Sequence, residues 1–208
     1  MTAQQLSLVL TTPKEGMDDA YEDWVTNRHF DEALRIDGVI AVRGYRFVPQ
    51  RDGDVPLYPD LAVYETDGSP VTPPEGPAEV TTWRYEGITE KRYDGDDRPL
   101  RDPHLFVVLT APVEGLEEEF NAWYTDRHLG DVMKLADYRS AQRFSFVGGD
   151  EPLRPYLAFY DTDTTDVRAT QRRLVEVVAT PAMPFSPAID REKSIGWYYR
   201  PVTERRTS

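Results

Sequence analysis

Two stretches of this 208-residue chain are near-copies, "DWVTNRHFDEA" at 23–33 and "AWYTDRHLGDV" at 122–132. Trp123 minus Trp24, Arg127 minus Arg28 and His128 minus His29 each give 99. The same offset joins "LSLVLTTPKEG" at 6–16 to "LFVVLTAPVEG" at 105–115. Further on, "LAVYETD" at 61–67 matches "LAFYDTD" at 157–163 with an offset of 157 − 61 = 96, so one connection is three residues shorter in the second copy. A repeat of this length that spans the chain requires one structural unit built twice. The division this implies is a first repeat at 1–95, a linker at 96–103 and a second repeat at 104–208.

Each copy reads alike. Leu6, Leu8 and Leu10, or Leu105, Val107 and Leu109, alternate as a half-buried strand requires. Met17, Tyr21, Trp24 and Arg28, matched by Leu116, Phe120, Trp123 and Arg127, fall on one face of a helix. A β-rich run and the third strand follow. The second copy closes with a helix over 164–179, capped by its Asp/Thr cluster, and a strand over 194–202. The first copy offers a shorter, proline-interrupted helix near 75–82 and a strand near 87–93. The order β-α-β-β-α-β, twice, is the ferredoxin-like motif, an α+β class. Each unit leaves one sheet face bare, and two units can bury those faces against each other.

Composition narrows the partners. A formal net charge of −13 opposes nucleic acid and anionic membranes, which need a basic face. The chain has no cysteine, hence no disulfide and no thiolate-held metal. With no secretion signal or membrane-length apolar run, the expected location is the cytoplasm. No phosphate loop, dinucleotide glycine pattern, nucleophile elbow or H-E-x-x-H is present.

The word W-[YV]-T-[ND]-R-H, followed by "AQRF" and "LAFYDTD", resembles the dimeric α/β-barrel superfamily, and within it the EthD-like domains. That resemblance implies an eight-stranded barrel made from two sheets with a cavity between them, here supplied by one chain as an intramolecular dimer. The molecule would then be a monomer or would pair further as a homodimer. Relatives on this barrel include cofactor-free quinone-forming monooxygenases, isomerases, cyclases, dehydratases and haem-dependent chlorite dismutases. Fold alone does not choose among them. The family's proline two residues after the histidine is replaced here by Asp31 and by Gly130.

Two of the three histidines fall in the doubled word. The functional reading makes His128 a general acid/base with a pKa near neutral, oriented by Asp131 three residues on and assisted by Tyr124 four residues back. The structural reading makes the Arg-His pair a cationic end to the helix. His29 is the weaker counterpart, since Val25 stands where the second copy has Tyr124. Tyr160, Tyr64, Arg43, Gln142 and Trp197 are the strand-borne candidates for binding substrate in the barrel. The expected activity is proton transfer on an apolar or aromatic small molecule without a cofactor: cyclisation, dehydration or isomerisation. The alternatives are a cofactor-free oxygenase, a haem enzyme with a helix histidine as axial ligand, and a non-catalytic binding protein. No metal site is expected.

Overall fold

In the computed structural model, which describes residues 3–96, 98–152 and 154–208, the first strand is β1 (Gln5–Pro13). It leads through a turn into helix α1 (Asp18–Asn27), and a break at Arg28 separates that from a short helix, α2 (His29–Ala33). Strands β2 (Val39–Val48), β3 (Asp60–Thr66) and β4 (Ala78–Gly87) complete the first unit, and a two-residue strand, β5 (Arg92–Tyr93), trails it.

The second unit repeats the plan with β6 (Pro103–Thr110), α3 (Glu117–Trp123), a π-helical turn at Tyr124–His128 and α4 (Leu129–Val132). Then come β7 (Tyr138–Gly149), β8 (Tyr156–Asp163), helix α5 (Val167–Val177), β9 (Ile195–Pro201) and a second two-residue strand, β10 (Arg206–Thr207). As the Asp/Thr cluster predicts, Asp166 caps α5 by accepting the Ala169 N–H at 3.0 Å.

The strands pair antiparallel in the order β2-β3-β1-β4-β7-β8-β6-β9, and β9 returns to β2. Eight strands therefore close a barrel, and closure removes the exposed sheet edges. The seams are β4 with β7 and β9 with β2, the same junction seen from each repeat.

The expected helix near 75–82 is absent. Pro70, Pro73, Pro74 and Pro77 crowd the segment after β3, and each removes a backbone donor and clashes with a preceding turn. The chain from 67 to 77 is irregular and passes so close to the Trp24 ring that a Cβ on Gly76 would lie 2.4 Å from it. The β-branched and aromatic run that follows, Val80 to Tyr85, is β4 itself. The expected fourth strand near 87–93 is thus one element late, and its end is only the short β5.

Two kinds of core result. Leu6, Leu8, Leu10, Val63, Trp83, Leu105, Val107, Leu157 and Trp197 point inward and fill the barrel. On the outer faces, Val9, Trp24, Phe30 and Tyr64 pack under the first unit's helices, while Phe106, Phe120, Tyr124, Tyr160 and Tyr198 pack under the second's. The barrel interior is consequently packed rather than hollow, apart from a polar space of about 120 Å³ at one mouth beside Glu65, Ser140, Gln142 and Asp161.

The short strands are exchanged between the repeats. β5, the tail of the first unit, pairs with β7 of the second, and β10, the tail of the second, pairs with β2 of the first. Ahead of each lies a threonine in an equivalent place. Thr89 Oγ1 accepts the Arg143 backbone N–H at 2.9 Å, and Thr203 Oγ1 accepts that of Gly44 at 2.9 Å. Lys91 then reaches Asp161 at 2.6 Å, as Arg205 reaches Glu65 at 2.6 Å. Among the described residues no helix is long and apolar enough to cross a membrane.

Candidate functional site

His128 does not face the barrel interior. It is carried by the π-helical turn, where the Leu129 N–H reaches the Tyr124 carbonyl five residues back. Such single turns insert one extra residue into a helix and recur at functional positions. The first repeat has a broken helix here instead, with Arg28 at φ −130°. The π turn keeps one continuous rod in the second repeat and aims both Tyr124 and His128 at the outer face of the sheet.

A cavity of about 240 Å³ lies between that sheet face and the helices. Its walls are mainly apolar, from Phe106, Val108, Leu174, Val178, Phe185 and Ile189, and its polar members are few: Tyr124, His128, Tyr160, Gln171, Thr110 and Ser194. Trp123 stacks on the imidazole at 4.6 Å, with planes 24° apart, and Tyr124 meets its edge at 4.8 Å. Three residues of this lining each have a buried polar atom without a hydrogen-bond partner: His128 Nδ1, Tyr160 Oη and Gln171 Oε1. Buried polar groups are nearly always paired, so three orphans around one void are an uncommon concentration.

Electrostatics follow from burial. Desolvation pulls the His128 pKa down to about 4, Asp131 opposes the shift, and the Arg143 charge adds to it. The near-neutral value expected from sequence is therefore corrected: His128 is a neutral imidazole at pH 7. Burial raises the Tyr124 and Tyr160 hydroxyls above the ordinary tyrosine value, so both stay protonated. The two hydroxyls influence each other's ionisation, yet Tyr160 Oη has no partner at bonding geometry.

Arg143 is the residue that sequence reasoning missed. It is 1% exposed and bonds only neutral oxygens: Asn121 O at 3.2 Å, Thr125 Oγ1 at 2.7 Å and Asn121 Oδ1 at 2.8 Å. Its guanidinium lies 4.4 Å from the Tyr124 ring centre. Desolvation lowers its pKa, and the surrounding tyrosines work against that shift. A signal for it existed in the repeat. Arg143 aligns with Gly44, and Leu129 with Phe30, a paired exchange of large and small residues. In the first repeat the Phe30 ring occupies the ground that Arg143 holds in the second, and a Cβ on Gly44 would lie 2.2 Å from Phe30 Cζ.

The remaining candidates scatter. Asp131 does not orient His128, because Lys134 Nζ at 2.6 Å and Arg127 Nε at 3.3 Å take its carboxylate. Burial works to raise the Asp131 carboxyl, but these two cations hold it below its ordinary value. His29 Nε2 and the Tyr64 hydroxyl bond each other at 3.0 Å beside a void of about 10 Å³, too small for a ligand, and His29 Nδ1 is buried without a partner. Burial takes His29 to about 4 as well, against the opposing charge of Glu32.

Arg43 Nε and Gln142 Nε2 donate to the carbonyls of Thr203 and Thr89, at 3.4 and 3.1 Å, so both fasten the exchanged tails. Trp197 packs in the barrel and borders a surface groove, not the His128 cavity. The structure thus gathers His128, Tyr124 and Tyr160 from the nine candidates at one cavity, adds Gln171 to its lining, and sets Arg143 behind Tyr124. No group of three or more metal-ligating side chains that could hold an ion occurs among the described residues.

No family model and no curated protein matches the chain. Solved structures do. An anthrone oxidase-like protein superposes with a TM-score of 0.62 at 10% identity, over 100% of this chain and 94% of that one. A putative monooxygenase from Lactobacillus acidophilus NCFM gives 0.55 at 9% identity, over 100% and 97%. The R173K mutant of chlorite dismutase from Candidatus Nitrospira defluvii gives 0.54 at 10% identity, over 96% and 92%. Such identities establish architecture and not chemistry. The chain is a dimeric α/β barrel folded from a single polypeptide.

Proposed function

We propose that this protein is an enzyme that transfers protons on a compact hydroxylated aromatic or apolar metabolite, with His128 as the base and no cofactor. The observation that carries the reading is that three residues of one mainly apolar cavity lining, His128, Tyr160 and Gln171, each carry a buried polar atom without a hydrogen-bond partner. Each such orphan costs about 1–3 kcal/mol, a cost that a ligand bearing its own oxygens offsets. A cavity of about 240 Å³ exceeds the ~150 Å³ that admits benzene and falls below the ~300–1,000 Å³ typical of drug-sized ligands. That range suits one or two fused rings.

The chemistry follows from the charges. A neutral imidazole accepts a proton from a substrate O–H or from a carbon next to a carbonyl, and the electron pair stays on the substrate as a phenolate or enolate. The buried Arg143 charge and the Tyr124 and Tyr160 hydroxyls favour that anion. Because burial disfavours the imidazolium, His128 returns the proton readily. Delivered to another carbon, it completes an isomerisation or cyclisation; delivered to a departing hydroxyl, it releases water. Asp131 stays outside this step, bound to Arg127 and Lys134.

A second reading has specific support in the likeness to an anthrone oxidase-like protein and to a putative monooxygenase. In it the same carbanion reduces dioxygen: one oxygen atom becomes the new carbonyl of the ring and the other leaves as water. The haem alternative fits the residues poorly. His128 is covered by Trp123 and Phe185, and a tetrapyrrole is larger than the cavity at this histidine.

The deciding experiment follows a panel of hydroxylated benzenes and naphthalenes by absorbance and by oxygen electrode. Turnover that falls 10²–10⁴-fold in His128→Gln, with probe binding kept, is the expected result. Oxygen consumption matching turnover selects the oxygenase reading. Unchanged turnover in the variant overturns His128 as the base, and tight binding without turnover in either protein leaves a carrier.

A further inference from the structure

The His128 cavity shares part of its wall with a larger groove. Gln171, Val175, Ser194, Ile195 and Gly196 line it and also a surface groove of about 740 Å³. One bank of the groove is α5 of the second repeat, and the other is the β2–β3 connection of the first repeat, residues 49–59. On these banks Val55, Leu57 and Val175 are 87%, 55% and 61% exposed. They share the groove with the charged residues Arg51, Asp54, Arg168, Arg172 and Glu176, so its apolar surface is a strip between charged rims.

The connection owes its position to its length. Its counterpart, residues 148–155, is shorter by the three residues that shift the repeat offset from 99 to 96. There Asp150 and Glu151 are bonded to β4: Asp150 exchanges bonds with Thr82 at 2.7 and 2.8 Å, and the Glu151 carbonyl accepts Trp83 Nε1 at 3.2 Å. The long connection reaches across β9 to α5. Gln50 Nε2 reaches the Gly196 carbonyl at 2.9 Å, and Asp52 pairs with Arg168 at 2.6 Å, spanning the gap. The extra length thus opens space over the repeat that carries the cavity. Gln171 stands where cavity and groove meet, and its buried Oε1 is unpartnered.

We propose that cavity and groove bind a single elongated substrate: a hydroxylated aromatic head at His128, and an apolar extension that passes Gln171 and lies on Val55, Leu57 and Val175. This rests on the reading of the His128 cavity as the site of chemistry, and it names the substrate class more narrowly. The compact cavity alone selects the head; the groove selects what is attached to it.

A series of 4-alkylphenols, from phenol to 4-octylphenol, tests the proposal on the full-length protein by calorimetry. The expected result is roughly fourfold tighter binding per methylene until the groove ends. Leu57→Asp and Val55→Asp change exposed positions and should flatten that rise while leaving phenol binding as it was. Removing three residues from the 49–59 connection should do the same. If phenol binds and chain length makes no difference, the extension is wrong and the proposed function stands. If the rise survives both aspartate variants, the groove is not the path of the chain. If no member binds, this inference and the proposed function fall together.

Discussion

The Arg143 guanidinium lies 4.4 Å from the Tyr124 ring centre and bonds the carbonyl and amide oxygens of Asn121 on the same helix. A strand of the barrel thereby grips the helix three residues before Tyr124, just ahead of the π turn that aims His128. Arg143→Leu should remove that grip and leave the Asn121 oxygens and Thr125 hydroxyl short of a donor. The expected loss is about 2–4 kcal/mol in urea denaturation. With the buried cation gone, the His128 pKa should rise from about 4, read by NMR titration of its ring protons. A loss of stability without that rise would mean that Arg143 acts on the fold alone.

Two buried histidines make the fold sensitive to acid. His29 and His128 titrate at about 4 instead of their ordinary 6.5, because burial disfavours the charged form. As pH falls, the unfolded chain takes up these protons first. Stability is therefore full above about pH 6.5 and lost toward pH 4, by up to about 3 kcal/mol for each histidine. Urea midpoints at pH 7.5 and 5 should show the decline, and the double variant His29→Gln/His128→Gln should largely abolish it. The same shift leaves the proposed activity without a rate-limiting histidine ionisation near pH 6.5, and a kcat/KM limb at that pH would contradict it.

Gly44→Ala should destabilise the protein by about 1–3 kcal/mol, since the new methyl would overlap the Phe30 ring. Phe30→Leu, which installs the residue found at Leu129, should restore much of that loss when combined with it. A double-mutant cycle by thermal unfolding checks the coupling, and strictly additive effects would show that the two sites do not share this space.

The repeat, the ferredoxin-like plan of each unit apart from the first unit's second helix, and the α5 helix were legible in the sequence, because self-similarity and periodicity report them directly. Which face of each strand looks inward was not. Tyr64 and Tyr160 alternate with Val63 and Phe159, but both faces of these strands are covered, one by the opposite sheet and one by helices, so periodicity has no polar side to read. The candidate site was expected in the barrel for that reason, whereas the cavity at His128 lies beneath the helices. Arg43 and Gln142 looked like substrate ligands because their partners, Thr203 and Thr89, sit in irregular chain just ahead of the two-residue strands, where no pattern shows. Arg143 was hidden in plain view, since an arginine within a strand reads as a surface residue until the glycine at its repeat position is set beside it.

Thr89→Val and Thr203→Val each remove the hydroxyl that receives a backbone N–H from the opposite repeat. Each should cost about 1 kcal/mol, and the two should add, since they lie at opposite seams. Hydrogen exchange should speed up at Arg143 in the first variant and at Gly44 in the second. Equal exchange at both amides would show that the tails are held mainly by their strand pairing.

Those exchanged tails also bear on what happens when the chain is severed. A cut between β5 and β6 leaves each fragment with its closing strand bonded into the other, so the pieces remain interlocked by two symmetric clasps. Co-expressed halves should therefore find each other and copurify. Each half alone would expose an apolar sheet face that only its counterpart, or a second copy of itself, could cover.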